Sequence, residues 1–224
     1  GRITQKIYPD ANVHICGFQD APLPDGFFDV AISNVPFGNY GVHDDEFKGR
    51  KYMARSIHNF FFAKALDKVR PGGVVAFVTS HHTLDSGNKQ VREYLASQAD
   101  LVGAIRLPNT AFKGNAMTEV TTDILFLRKR EEGEEPGDTS WVDTAPVKMP
   151  GKDKKKEEHP INQYFIDHPE QMMGTLAATG TMYGPGEVTL VNDGRDMQAA
   201  LSDAMQRLPK GVMVKARTAR LSSP

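Results

Sequence analysis

The sequence has almost no cysteine: Cys16 is the only one in 224 residues. That excludes an internal disulfide and any cysteine-cluster metal site. No apolar run reaches membrane-spanning length and the start is not a signal peptide, so a cytoplasmic location, without membrane contact, is the default expectation. An excess of charge is missing too. Lysine and arginine total 27 against 28 acidic residues, a formal net charge of -1. The chain is no polycation, and any contact with nucleic acid has to come from a local basic face. No internal repeat is present. The remainder is ordinary for a soluble globular protein, with 39% hydrophobic and 25% charged residues. The length suits one large domain, or a core with an appendage.

The informative stretch is residues 27–40, FFDVAISNVPFGNY. Residues 27–32 are apolar and rich in strand formers apart from Asp29, which predicts a buried strand. Ser33-Asn34-Val35-Pro36-Phe37-Gly38 then stops it. Pro36 lacks a backbone donor and keeps Val35 out of helical geometry, and Gly38 permits positive φ. A strand would thus deliver an amide, a rigid turn and an aromatic ring to a sheet rim, where open α/β sheets bind ligands. The Asn34 side-chain oxygen and the Val35 or Pro36 carbonyl can accept two hydrogen bonds from one amino group. Such a pair would localise the nitrogen lone pair of an aromatic amine such as adenine without a strong base. Stacking on Phe37 is worth roughly 1–3 kcal/mol, against the few kcal/mol needed to extrude a base from a duplex. Taken alone, the same tetrapeptide also describes a strand-ending turn with a capping Asn and a packed Phe.

Downstream order narrows the choice. Leu66-Asp67-Lys68-Val69-Arg70-Pro71-Gly72-Gly73 precedes an apolar run over 74–79, followed by Arg106-Leu107-Pro108, Phe112 and the segment 119–130. With Ser33-Asn34-Val35-Pro36-Phe37, this succession resembles the adenine-specific amino-methyltransferases of DNA. It is similar to type I restriction modification subunits, and more so to the methylase segment of large phage or conjugative-element helicase–methylase proteins. The resemblance covers about residues 1–130.

The resemblance implies an α/β, Rossmann-like, S-adenosylmethionine-dependent core. Asn34, Val35, Pro36 and Phe37 become the catalytic turn, and Asp20, with Phe18 flanking, the contact to the cofactor's adenine. Phe112 becomes a second wall for an extruded base, and DNA the substrate partner. Asp20 also reads as a loop carboxylate, and Phe112 as packing under its own loop. The family's glycine-rich cofactor loop and second acidic strand end do not occur before Asn34. Gly180–Gly186 (GTMYGPG) does not replace the loop, because Pro185 interrupts it and no helix follows. The expectation is a core lacking its first two strands, which does not necessarily bind S-adenosylmethionine and as such a fragment is inactive. The missing N-terminal segment or a helicase region of a larger protein would then be a partner, and an exposed sheet edge would favour a homodimer. Two other functions stay open: a non-catalytic DNA-binding or interaction module, and an amino-methyltransferase of protein or RNA.

The rest of the chain fills in around that turn. Residues 1–8 read as the tail of an amphipathic helix and 12–16 as a short strand. Residues 41–52 read as a loop, mobile or merely solvated, whose Lys48, Arg50 and Lys51 could meet phosphates. A helix is expected over 57–69 with Phe60 to Phe62 in the core, then a buried strand over 74–79. His81 and His82 read as rim residues rather than metal ligands, since adjacent side chains on a strand point apart. A helix over 85–99 and strands over 101–107 and 123–127 complete a core of residues 1–130. Residues 131–160 are charged and rich in proline and glycine, predicting a linker or exposed excursion with at most a short strand at Trp141-Val142. Residues 161–224 form a C-terminal extension with a strand over 187–191 and a helix over 197–208.

Overall fold

The computed structural model describes residues 1–38, 40–112, 120–152, 155–180 and 186–214. A four-stranded mixed sheet forms its centre: β1 (Phe28–Asn34), β2 (Val69–Ser80), β3 (Ala99–Leu107) and β4 (Thr122–Lys129), in the order β1-β2-β4-β3. β1 and β2 run parallel, and β4 is antiparallel to both of its neighbours. The carboxyl ends of β1, β2 and β3 therefore share one rim, where Asn34 pairs with Val78, and Thr122 with both Ser80 and Leu107. This is a Rossmann-like α/β arrangement with an antiparallel strand inserted.

Alternation along the inner strands sorts side chains into two layers. Ala104, Leu125 and Leu127 join Val75 and Phe77 in the main core, under α2 (Ile57–Lys68) and α4 (Gln90–Gln98). Their neighbours Ile105, Ile124 and Phe126 face the opposite layer with Met173 and the last helix, α6 (Met197–Arg207). Phe60 and Phe62 are fully buried, and Phe62 meets Phe77 at 5.1 Å between ring centroids. The phenylalanine run is core, as its spacing predicts.

β1 differs from its expected burial. It is an edge strand, and Ile32 is 80% exposed because it faces away from the main core. Residues 12–16 form no ladder, there being no strand alongside them among the described residues. Residues 41–52 are not simply solvated: with the residues that follow they wind into 3-10 turns over Asp45–Arg50 and Met53–Arg55, with Phe47 and Met53 buried. Lys64 of α2, itself buried, pins them by ion pairs to Asp44 at 2.8 Å and Glu46 at 2.7 Å.

The charged segment also departs from expectation. β5 (Thr144–Pro150) and β6 (Lys156–Asn162) form an antiparallel hairpin. The ladder satisfies the backbone whatever the side chains are, so alternate charged residues face water. Trp141, Val142, Met149 and Ile161 anchor the hairpin in the main core. Trp141-Val142 lies in a 3-10 turn, not a strand. Helix α5 (Gln163–Asp167) and the hairpin of β7 (Thr175–Gly180) and β8 (Glu187–Val191) follow, and β8 lies over the rim: Leu190 N–H donates to Thr121 Oγ1 at 2.9 Å and Asn109 N–H to the Leu190 carbonyl at 2.9 Å.

Between the two layers lies a fully buried arginine. Arg106 of β3 binds Asp123 of β4 through two hydrogen bonds of 2.8 Å and pairs with Asp85 at 2.7 Å. Asp85 closes α3 (His82–Asp85), a single turn after β2, and accepts from the Asn162 N–H at 2.9 Å. The guanidinium lies 4.2 Å from the centre of the Phe165 ring. Burial raises the cost of ionising Asp85, but Arg106 and His81 outweigh it and hold its pKa down to about 2. Burial instead pushes Asp123 up against the pull of Arg106, so Asp123 takes a proton first on acidification.

Two outcomes follow from this cluster. Arg106→Met leaves two buried carboxylates uncompensated and should lower the unfolding free energy by about 3–5 kcal/mol in urea titration; a loss under 1 kcal/mol, the scale of an exposed pair, would show that the cluster is dispensable. Asp85 has a folded pKa below its unfolded value of about 3.9, so its contribution is complete above that pH and disappears on the way down to about 2. Thermal midpoints measured from pH 6 to pH 2 should fall chiefly in that window, and Asp85→Asn should flatten the fall.

Candidate active site

The turn after β1 is held from below. Val35 is 1% exposed, and its N–H donates to the Val78 carbonyl of β2 at 3.0 Å. With that side chain inward, Asn34, Pro36 and Phe37 are left exposed at the rim. Phe37 contacts His58 edge-on, with 5.6 Å between ring centroids. Gly38 does not adopt the left-handed backbone that its position suggested; a Cβ there would instead come within 2.2 Å of the Tyr40 ring.

Beside the turn lies a cleft of about 410 Å3 lined by Gly38, Ser56, His58, Asn59, Ser80 and His82, among others. The sequence marks none of its polar side chains as part of a base site; the one local signal is the polar His58-Asn59 pair that opens α2 ahead of its phenylalanines. His58 Nε2 is buried and has no partner among the described residues. Desolvation, and then the neighbouring His82, lower the His58 pKa and keep the ring neutral at pH 7.

The other expected site residues are dispersed. Asp20 is exposed, in a 3-10 turn over Phe18–Asp20, and accepts a 2.9 Å hydrogen bond from Gln19. Phe18 packs on Phe61 and Phe60, at 5.1 and 6.2 Å between ring centroids. Neither lines the cleft. Phe112 is half-buried against the layer that contains Ile105, Leu107 and Met173; residues 113–119 of its loop lie outside the described residues.

Lys48 and Lys51 are exposed, Lys48 pairing with Asp45 at 3.1 Å. Arg50 is not available to a phosphate. Its guanidinium is taken by Asp67 and the Tyr94 hydroxyl and lies 4.1 Å from the centre of the Phe47 ring. Asp67 stands on α2 and Tyr94 on α4, so they draw the arginine inward from a cluster that reads as basic surface.

His81 and His82 also differ from expectation. His81 has helical backbone, φ -54 and ψ -24, because β2 has already ended and α3 begins. Adjacent helical residues are not forced to opposite faces as strand residues are. The two rings lie 4.1 Å apart, and both approach Glu187 of β8.

The fold and rim define a class. Residues 13–177 match the sequence profile of the N-6 DNA methylase family, and this chain belongs to that family. It is 31% identical over 133 residues to defense against restriction protein B of Escherichia phage P1. That alignment takes in 58% of this chain but 6% of the phage protein's length. A putative class I S-adenosylmethionine-dependent methyltransferase from Listeria monocytogenes is 25% identical and superposes with a TM-score of 0.43 over 53% of this chain and 36% of its own. A modification subunit of a putative type I restriction enzyme from Vibrio vulnificus is 17% identical, with a TM-score of 0.39 over 80% of this chain and 40% of its own. The M protein of the type I restriction enzyme EcoKI is 14% identical, with a TM-score of 0.37 over 82% and 48%. Among the described residues no helix is long and apolar enough to cross a membrane.

The two kinds of cation in residues 48–51 can be told apart by measurement. Arg50→Ala should cost roughly 1–3 kcal/mol in urea unfolding, since it strips a part-buried carboxylate and a phenol of their partner. Lys48→Ala should stay within about 0.5 kcal/mol. Equal effects would contradict the structural role given to Arg50.

Proposed function

We propose that this chain carries the base-side half of an adenine-specific DNA amino-methyltransferase whose methyl donor is S-adenosylmethionine. The observation that carries the proposal is the turn itself. In a chain of the N-6 DNA methylase family, buried Val35 leaves Asn34, Pro36 and Phe37 exposed on the carboxyl rim beside a polar cleft. Asn34 and the Val35 or Pro36 carbonyl accept the two amino hydrogens of an extruded adenine. Phe37 stacks on the ring, and neutral His58 braces Phe37 from the side. Phe112 supports the wall behind the base, and Lys48 and Lys51 meet backbone phosphates.

Bound at the rim, S-adenosylmethionine supplies an electrophilic methyl group on a sulfonium, which needs no metal. Asp20, exposed and only partly engaged by Gln19, suits the donor's adenine amino group, and Phe18 shapes the surface beside it. For the donor's methionine end the described residues offer no cradle: none of the positive-φ glycines stands between the end of a parallel strand and a helix. We assign that half to a further segment of a longer polypeptide, consistent with the small share of the phage protein that this chain spans. The open edge of β1, with Ile32 80% exposed, favours a second reading in which the chain acts as an interaction module or pairs with a second copy.

The test is a transfer assay with labelled S-adenosylmethionine and mixed-sequence DNA, on this chain and on a longer polypeptide containing it, with digested nucleosides resolved by mass spectrometry. N6-methyladenine is expected from the longer polypeptide, and Asn34→Ala should reduce it by about 10²–10³-fold, the effect of removing one preorganised polar contact to the reacting group. Full activity of Asn34→Ala would remove the turn from the mechanism. Label in cytosine or in protein would overturn adenine in DNA as the substrate, and no transfer from either polypeptide would leave the interaction module.

A further inference from the structure

His81, His82 and Glu187 are unused by the chemistry above, yet the fold brings them together from positions more than a hundred residues apart. Their ligand atoms lie within 4.8 Å of one another. Glu187 Oε1 is 3.5 Å from His81 Nε2 and 3.1 Å from His82 Nε2. Tetrahedral zinc with bonds of about 2.0–2.1 Å sets its ligand atoms about 3.3 Å apart, close to the two distances from Glu187 Oε1, and the three ligand atoms together lie within reach of one ion.

The atoms behind these ligands support the same conclusion. His81 is 3% exposed, and its Nδ1 lies 3.2 Å from Asp85 Oδ2. Asp85 is ion-paired to Arg106 and accepts from the Asn162 N–H, so it acts as the acceptor and His81 Nδ1 as the donor. With Nδ1 so held, Nε2 is turned towards the Glu187 carboxylate at 3.5 Å, where a proton or a metal cation can bridge the two. Carboxylate–histidine–metal relays, in which the carboxylate fixes tautomer and ring orientation, are the usual outer shell of a protein metal site.

We propose that His81, His82 and Glu187 bind one divalent first-row transition metal ion, with zinc the best fit. Two imidazoles and one carboxylate are a borderline donor set, suited to zinc rather than to magnesium or calcium. The ion would join the start of α3 to β8 and so clamp the β7–β8 hairpin onto the rim. His82 also lines the cleft beside Phe37, so a fourth, solvent-filled coordination position would open at its wall. The inference does not depend on the methyl-transfer proposal, because all its residues lie outside the catalytic turn.

The test is calorimetric titration of the metal-stripped chain with zinc chloride at neutral pH, in a Cys16→Ser background so that the exposed thiol near His14 contributes nothing. One zinc per chain and a higher thermal midpoint are expected, with no heat from magnesium. Glu187→Gln and His82→Asn should each weaken binding by more than about 10-fold, the smallest loss that an outer-shell change alone produces. His82 is half-exposed, so its variant should fold even if the Glu187 variant does not, which circular dichroism checks. Imidazole nitrogen resonances of His81 and His82 should both shift with zinc at constant pH. A folded wild-type chain that takes up no zinc, with those resonances moving only with pH, would overturn the proposal in favour of a proton-bridged cluster. Undiminished binding in both variants would place the metal elsewhere and overturn it equally.

Discussion

A guanidinium fully removed from water has to be matched by carboxylates, and the rim of this protein is organised around that constraint. Arg106 sits on β3, yet its partners come from β4 and from the turn that follows β2, while Phe165 of the C-terminal region covers its face. A small shift of any of these elements leaves a charge unpaired in a low-dielectric interior, at a cost comparable to much of a domain's net stability. The rim therefore has one arrangement. Asp85 extends the network outward through His81, so the order imposed in the core reaches the surface where the cleft opens.

The turn after β1 depends on that order indirectly. Asn34 is positioned by the parallel pairing of β1 with β2, and Val35 by its bond to Val78. β2 is in turn held by β4, whose first residues pair with the end of β3 next to Arg106. The open side of β1 receives no comparable support among the described residues. One flank of the candidate site is walled by α2 and the start of α3, and the other ends at an exposed strand edge.

Some features were readable because they are local. Pro36 and the apolar run before Asn34 define a strand followed by a turn wherever they occur, and the apolar run over 123–127 marks a further strand. The phenylalanines of α2 could be assigned to the core from spacing alone. Arg50 could not be placed, because Lys48, Arg50 and Lys51 are indistinguishable as a basic cluster until Asp67 and Tyr94 are brought beside one of them. His58 was likewise hidden, since its significance lies in its contact with Phe37, twenty-one positions earlier. The hairpin in residues 144–162 was missed because its pairing is carried by the backbone, to which composition is blind.

By itself the sequence determined the chemistry on offer at the turn: an amide, a proline carbonyl and an aromatic ring, presented by a strand end and framed by the motif order of a methylase family. Residue type and short-range backbone geometry suffice for that. Tertiary structure alone decided which charged groups are buried, which basic residues remain for a ligand, and which histidines share a carboxylate. Those outcomes depend on desolvation and on contacts between residues as distant as His81 and Glu187, and neither can be read from composition, periodicity or the spacing of neighbours.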